Sequence, residues 1–126
     1  MNDRSFRNLK IWQKADELFD MITKDAKEFP KDKTSWVITD QILRSISSIS
    51  ANIAEGYGRG GNKEFQRFLI IARGSLSESE NWLYKIRKRG FISETRYKEY
   101  LDICEELYKM INVFIGELRK QNSKAL

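Results

Sequence analysis

The residue types that could do chemistry in this chain are few, and the missing ones decide as much as those present. Histidine is absent from all 126 residues. That removes the commonest general base near neutral pH and the commonest zinc and iron ligand. A di-iron helical bundle needs a Glu-x-x-His pair, so that class is excluded. Helical-bundle ribonucleases built on an Arg-to-His motif are excluded for the same reason. The single cysteine, Cys104, lies on an apolar stripe with nothing basic paired to it, and reads as core rather than nucleophile. Glu78 and Glu80, like Glu105 and Glu106, are too close in sequence to share one helical face. Glu55 and Glu78 could meet across a bundle, with Arg44 an equally good partner. Such a set is a structural network rather than an acid–base pair. The expectation is a protein that is not an enzyme and that needs no cofactor and no metal.

The other chemistry on offer is charge. The formal net charge of +5 is unevenly placed: residues 62–90 hold seven basic and three acidic residues, while 1–30 and 91–126 each balance to zero. Lys63, Arg67, Arg73, Lys85, Arg87, Lys88 and Arg89 are therefore candidates for a patch that binds the phosphates of RNA or DNA. A competing explanation is that cations gather at a helix C-terminus because they favour the macrodipole. The run GYGRGGN, residues 56–62, could form a backbone nest for an anion, with Arg59 adding charge. It lacks the Lys-Ser/Thr ending of a P-loop and joins two helices rather than following a strand, so a flexible link is the simpler reading.

The elements that must position these groups are helices. Apolar residues recur at three-and-four spacing, no segment alternates with period two, and glycines and the one proline divide the chain into four parts. The first helix spans about 8–28, with Trp12, Ala15, Phe19, Ile22, Ala26 and Phe29 at heptad-like spacing and Leu18 beside the stripe; Pro30 bars its continuation. The second spans about 35–55 and ends at Gly56, a left-handed cap candidate. The third begins near Asn62, a good N-cap, and stops at Gly90, covering about 62–89. The fourth spans about 93–119, with Tyr97, Leu101, Cys104, Tyr108, Ile111, Ile115 and Leu118 in register and Tyr100, Ile103, Leu107, Met110 and Phe114 as a second apolar row beside them. Short links make sequential helices antiparallel neighbours. The fold expected is all-α, a single domain over residues 1–126, arranged as an antiparallel up-down-up-down four-helix bundle with shallow crossings of roughly 20°.

The segment QILRSISSISANIAEG, residues 41–56, is unusual for a chain one-third charged. Ile42, Ile46, Ile49 and Ile53 form one seam, and Gln41, Ser45, Ser48, Asn52 and Glu55 form a second, polar one. A helix with so little charge is enclosed on more than one side. The expected cover is the third helix near Ser75 and Glu78, or a neighbouring subunit. The third helix also offers two rows: a core seam of Phe65, Leu69, Ala72, Leu76, Leu83 and Ile86, and beside it Phe68, Ile71, Ser75, Glu78 and Trp82. Surplus apolar area points to self-association. Gln41, Arg44, Asn52, Glu55, Ser75, Glu78 and Trp82 are accordingly expected in a structural network or interface. One cysteine, no run approaching the roughly 20 apolar residues of a membrane span, and an N-terminus broken early by charge suggest a cytoplasmic protein.

Two runs resemble a known family. Gln41-Ile42-Leu43-Arg44-Ser45 followed by Asn52-Ile53-Ala54-Glu55-Gly56, and the later Glu64-Phe65 through Phe68-Leu69-Ile70-Ile71-Ala72-Arg73-Gly74-Ser75-Leu76-Ser77-Glu78, look like the two signatures of the bacterial proteins encoded in intervening sequences of 23S ribosomal RNA genes. The opening Phe6-Arg7-Asn8-Leu9-Lys10-Ile11-Trp12 and Phe29-Pro30 also fit. The resemblance covers roughly residues 6–119. It implies a long four-helix bundle that associates as a homopentamer, and similarity to the accessory protein of diversity-generating retroelements, a basic pentamer that binds nucleic acid and a reverse transcriptase. It marks Gln41, Arg44, Asn52, Glu55, Ser75 and Glu78 as signature positions without a catalytic role. It leaves two expectations: a homo-oligomer that binds RNA or DNA, or a scaffold whose partner is another protein.

Overall fold

The computed structural model describes residues 5–125. A 3-10 turn, Phe6–Asn8, precedes four helices: α1 Lys10–Ala26, α2 Lys33–Gly58, α3 Asn62–Lys88 and α4 Glu94–Ala125. Among the described residues every regular element is helical. Contacts across the α2–α3, α3–α4 and α1–α4 seams run in opposite directions along the two helices. On α2 and α3, Ser45 faces Ser79, Ser48 faces Ser75 and Gly56 meets Phe68. On α3 and α4, Asn62 reaches Gln121, Arg73 reaches Asn112 and Arg87 reaches Glu94. On α1 and α4, Lys14 pairs with Glu106 and Asp25 with Arg96. The expected bundle of antiparallel neighbours follows from these pairings, and one apolar cluster joins all four helices.

The α3 seam of Phe65, Leu69, Ala72, Leu76, Leu83 and Ile86 is buried throughout, as is the isoleucine seam of α2. The other two helices are rotated from the expected stripes. In α1 the buried line is Ile11, Ala15, Leu18 and Ile22, with Trp12 and Phe19 only half-buried beside it. In α4, Tyr100, Cys104, Leu107 and Ile111 take the centre, and Tyr108, expected inside, is 42% exposed. The heptad rows Ala15-Ile22-Phe29 and Cys104-Ile111-Leu118 stay buried; what changes is the row beside them, which is Ile11 and Leu18 rather than Trp12 and Phe19, and Tyr100 and Leu107 rather than Leu101 and Tyr108.

The ends differ in detail from the sequence expectation. Gly56 is not a cap; α2 runs on to Gly58, and Gly56 is buried within it. A Cβ at Gly56 would lie 2.5 Å from Phe68 Cβ, so the glycine is there for helix contact rather than for a turn. The positive φ falls instead on Gly60, at +77°. Gly61, not Asn62, is the N-cap of α3; the Asn62 amide donates to Gln121 and its carbonyl accepts from Gln66. Gly90 closes α3 as expected. With φ +80°, it sends its N–H to the Arg87 carbonyl while Phe91 N–H reaches the Ile86 carbonyl, the paired bonds of a Schellman motif. Ser93 then caps α4 by accepting from Arg96 N–H at 3.0 Å.

Candidate nucleic-acid interface

The seven candidate cations of α3 do not form one continuous patch. Eighteen residues separate Arg67 from Lys85, about 27 Å along the helix axis. Lys63 and Arg67 lie at the end that holds the glycine loop. Lys85, Arg87, Lys88 and Arg89 lie at the other, beside the α3–α4 turn. Arg73, between them, is half-buried and donates to the side-chain Oδ1 of Asn112 at 2.8 Å.

Several of the seven are engaged within the chain. Arg67 is held by Glu64 on its own helix. The Arg87 guanidinium sits between the rings of Tyr84 and Tyr97, 5.5 and 5.1 Å from their centroids, with Glu94 Oε1 3.0 Å from its Nε. That ion pair is too poorly aligned to count as a hydrogen bond. Lys85 lies over the Trp82 ring. Lys63, Lys88 and Arg89 are exposed and make no ion pair among the described residues.

Of the residues expected in a structural network, Ser75 and Asn52 meet Ser48. Ser48 Oγ lies 2.9 Å from Ser75 Oγ, and Ser79 Oγ lies 3.0 Å from Ser45 Oγ. The Asn52 amide donates to both the carbonyl and the hydroxyl of Ser48. Gln41 is half-buried on the same side. Glu55, Glu78 and Arg44 are not brought together. In the register set by the serine pairs, Glu55 lies opposite Leu69, nine residues from Glu78, or about 13 Å. Each uses a neighbour four residues away: Glu55 accepts from Arg59 at 2.6 Å, Arg44 donates to Asp40 at 2.9 Å, and Glu78 accepts from Trp82 Nε1 at 3.1 Å. Trp82 is half-buried against the core.

Sequence reasoning missed a tighter cluster. Asp25, at the C-terminal end of α1, accepts two bonds from Arg96 at 2.8 and 3.2 Å and one from the Tyr100 hydroxyl at 2.6 Å. Burial works to raise the Asp25 pKa, but these hydrogen bonds and the Arg96 charge outweigh it and hold it below the ordinary carboxylate value. Burial, reinforced by Asp25, keeps Tyr100 protonated far above its usual range. Its partners are 71 and 75 residues apart in sequence, and nothing local signals it. Elsewhere, Cys104 is pushed up to about 12, first by burial and then by the nearby charge of Glu80, so no reactive thiolate forms. Among the described residues no group of His, Cys, Asp or Glu is placed to hold a metal ion. No helix among them is long and apolar enough to cross a membrane.

The sequence profile of the 23S rRNA-intervening sequence proteins matches residues 7–113. The chain belongs to this family. A solved structure from Bacteroides thetaiotaomicron VPI-5482, a protein with unknown function from the S23 ribosomal protein family, superposes with a TM-score of 0.76 at 28% identity, over 83% of this chain and 97% of that one. No curated protein matches the chain. The rRNA intervening-sequence profile spans both signature runs, the α2 segment at 41–56 and the α3 segment at 64–78. Those runs are the α2–α3 seam, in which Ser45, Ser48, Asn52, Gly56, Phe68 and Ser75 meet.

Proposed function

We propose that this protein is a non-enzymatic, cytoplasmic homo-oligomer that binds RNA or DNA through phosphate contacts. The observation that carries self-association is on the outer face of α3. Ile70 and Ile71 are each 40% exposed, and beside them Gly74, in mid-helix, has no atom outside its own helix backbone within 4 Å of where a Cβ would stand. A mid-helix glycine costs about 1 kcal/mol relative to alanine. No contact within the protomer repays that, whereas close approach of another subunit does. Val113, 65% exposed on a groove with Leu9, Met110, Phe114 and Leu118, adds further unpartnered apolar surface on the α1–α4 side.

Five is the copy number that the family resemblance implies. Closed symmetry multiplies a modest basic surface through effective concentration, which is how a +5 protomer could hold a polyanion. Phosphate contacts carry no base identity, so binding is weakly sequence-selective and falls steeply with salt. A second reading, a scaffold for a partner protein, is favoured by the internal engagement of Arg67, Arg73 and Arg87. Light scattering on the wild type and on Ile71→Glu tests the first part. A multimer that shifts toward monomer is expected, and a monomeric wild type would contradict it. Filter binding with RNA and DNA at low salt tests the second: retention is expected, and no retention of either leaves the scaffold.

A further inference from the structure

The chain alternates basic ends with an acidic waist, and the two ends are not alike. One end gathers the α1–α2 and α3–α4 turns. Residues 24–36 and 85–96, which build it, hold nine basic and four acidic side chains. The turns touch through the rings of Phe29 and Phe91, 5.3 Å apart. Of the acids, Asp25 is taken by Arg96, Glu94 by Arg87, and Asp32 caps α2 by accepting from Ser35 N–H. Glu28 is left. Of the cations, Lys31 is tied to the carbonyls that end α1. Lys24, Lys27, Lys33, Lys88 and Arg89 are exposed and make no ion pair among the described residues. At the opposite end, Arg59, Arg67 and Lys120 are paired with Glu55, Glu64 and Glu117, which leaves Arg7, Lys10, Lys63 and Arg119 exposed and without an ion pair among the described residues, four against five.

The helix dipole does not account for this concentration. It favours cations at the ends of α1 and α3, but Lys33 is the first residue of α2, where the dipole opposes it. The last turn of α2, at the other end of the bundle, carries no cation at all. Between the turns lies a cleft of about 580 Å³, with Phe29, Phe91 and Ile92 as its apolar floor and Lys24, Lys27, Arg96 and the carboxylates of Asp25 and Glu28 around them. An apolar, aromatic floor beside cations suits a base with its phosphate, and an unpaired base is the one free to enter.

We propose that this end of the bundle is a binding site for single-stranded nucleic acid, in which Lys24, Lys27, Lys33, Lys88 and Arg89 take phosphates and the Phe91–Ile92 floor takes a base. The proposal rests on the nucleic-acid reading above and narrows it to one end, with three lysines that lie outside α3. In any closed ring built by one rotation axis the same end of every subunit falls on one rim, so the sites would share a surface.

The test is fluorescence anisotropy with a labelled oligouridine RNA, its DNA counterpart and a duplex of equal length. The probes are titrated over salt against the wild type, Lys24→Gln/Lys27→Gln/Lys33→Gln and Lys10→Gln/Lys63→Gln/Arg119→Gln. All the substituted side chains are exposed, and circular dichroism checks that helicity is unchanged. The first variant should weaken binding and flatten the log–log salt slope by about 2, three contacts at roughly 0.7 each for single strands. The opposite-end variant should leave binding and slope unchanged. The single strand should bind about tenfold tighter than the duplex, the worth of one stacked base. Equal loss in both variants, or loss only in the opposite-end variant, overturns this site and leaves nucleic-acid binding standing. Duplex bound as tightly as single strand overturns the base-stacking floor. A wild type that binds phosphatidylserine vesicles but neither RNA nor DNA overturns the nucleic-acid reading itself.

Discussion

The α2–α3 and α1–α4 seams of this bundle are closed by different means. Between α2 and α3 the facing residues are small: Ser45, Ser48 and Gly56 against Ser75, Ser79 and the Cβ of Phe68. At Gly56 the two helices approach so closely that a single methyl group has no room. Between α1 and α4 the ties are long side chains, Lys14 to Glu106 and Arg96 with Tyr100 to Asp25, and an open apolar groove runs beside Leu9 and Val113. The first seam is specified by volume and the second by a polar latch at one end.

That contrast can be broken from either side. Gly56→Ala should be the most damaging single change, at about 2–3 kcal/mol by analogy with overpacked cores, because its Cβ would meet another Cβ rather than a flexible side-chain end. The matched control is Gly74→Ala, which meets nothing within the protomer. It should leave thermal stability unchanged or raise it by up to about 1 kcal/mol, while weakening self-association if a second subunit packs on that face. Thermal melts of the pair check both, and equal losses would mean that the seam is not volume-limited.

Asp25→Asn comes next, at roughly 1–3 kcal/mol, the range for losing a charge-assisted bond partner. Its pH dependence has a definite sign. Asp25 is held below its unfolded value of 3.8, so its contribution is present above that pH and disappears as pH falls through the lower folded value. The wild type should therefore lose its advantage over Asp25→Asn on acidification below about pH 4, read as converging melting temperatures. A difference that stays constant down to the acid limit would remove the latch from the account. Lys14→Met should matter least, within about 1 kcal/mol, since its Glu106 partner is 58% exposed.

Helix number and type were legible because apolar periodicity persisted over lengths that no strand reaches. The buried seams of α2 and α3 were legible too: isoleucine and leucine recur there with few competitors. The rotation of α1 was not, because Trp12 and Phe19 are large enough to pass for core on a heptad count; in α4 both apolar rows were visible, but Tyr108 passed for core ahead of Tyr100 and Leu107. The low charge of 41–56 correctly announced an enclosed helix. The fate of Glu55, Arg44 and Glu78 stayed hidden, because partners four residues away on the same helix compete with any partner across the seam and win. The basic end was hidden by arithmetic. Residues 1–30 sum to zero, yet Asp25 and others are consumed by internal bonds while Lys24 and Lys27 are not. Bundle topology places both odd-numbered turns at one end, so the juxtaposition of residues 27–33 with 88–93 was derivable once the fold was accepted.

Lysine footprinting by acetylation and mass spectrometry, with and without a single-stranded RNA, addresses the functional claim most directly. The account predicts protection of Lys24, Lys27, Lys33 and Lys88, with Lys10, Lys63 and Lys120 modified as before. Protection confined to Lys10, Lys63 and Lys120, or no protection anywhere at low salt, would contradict it.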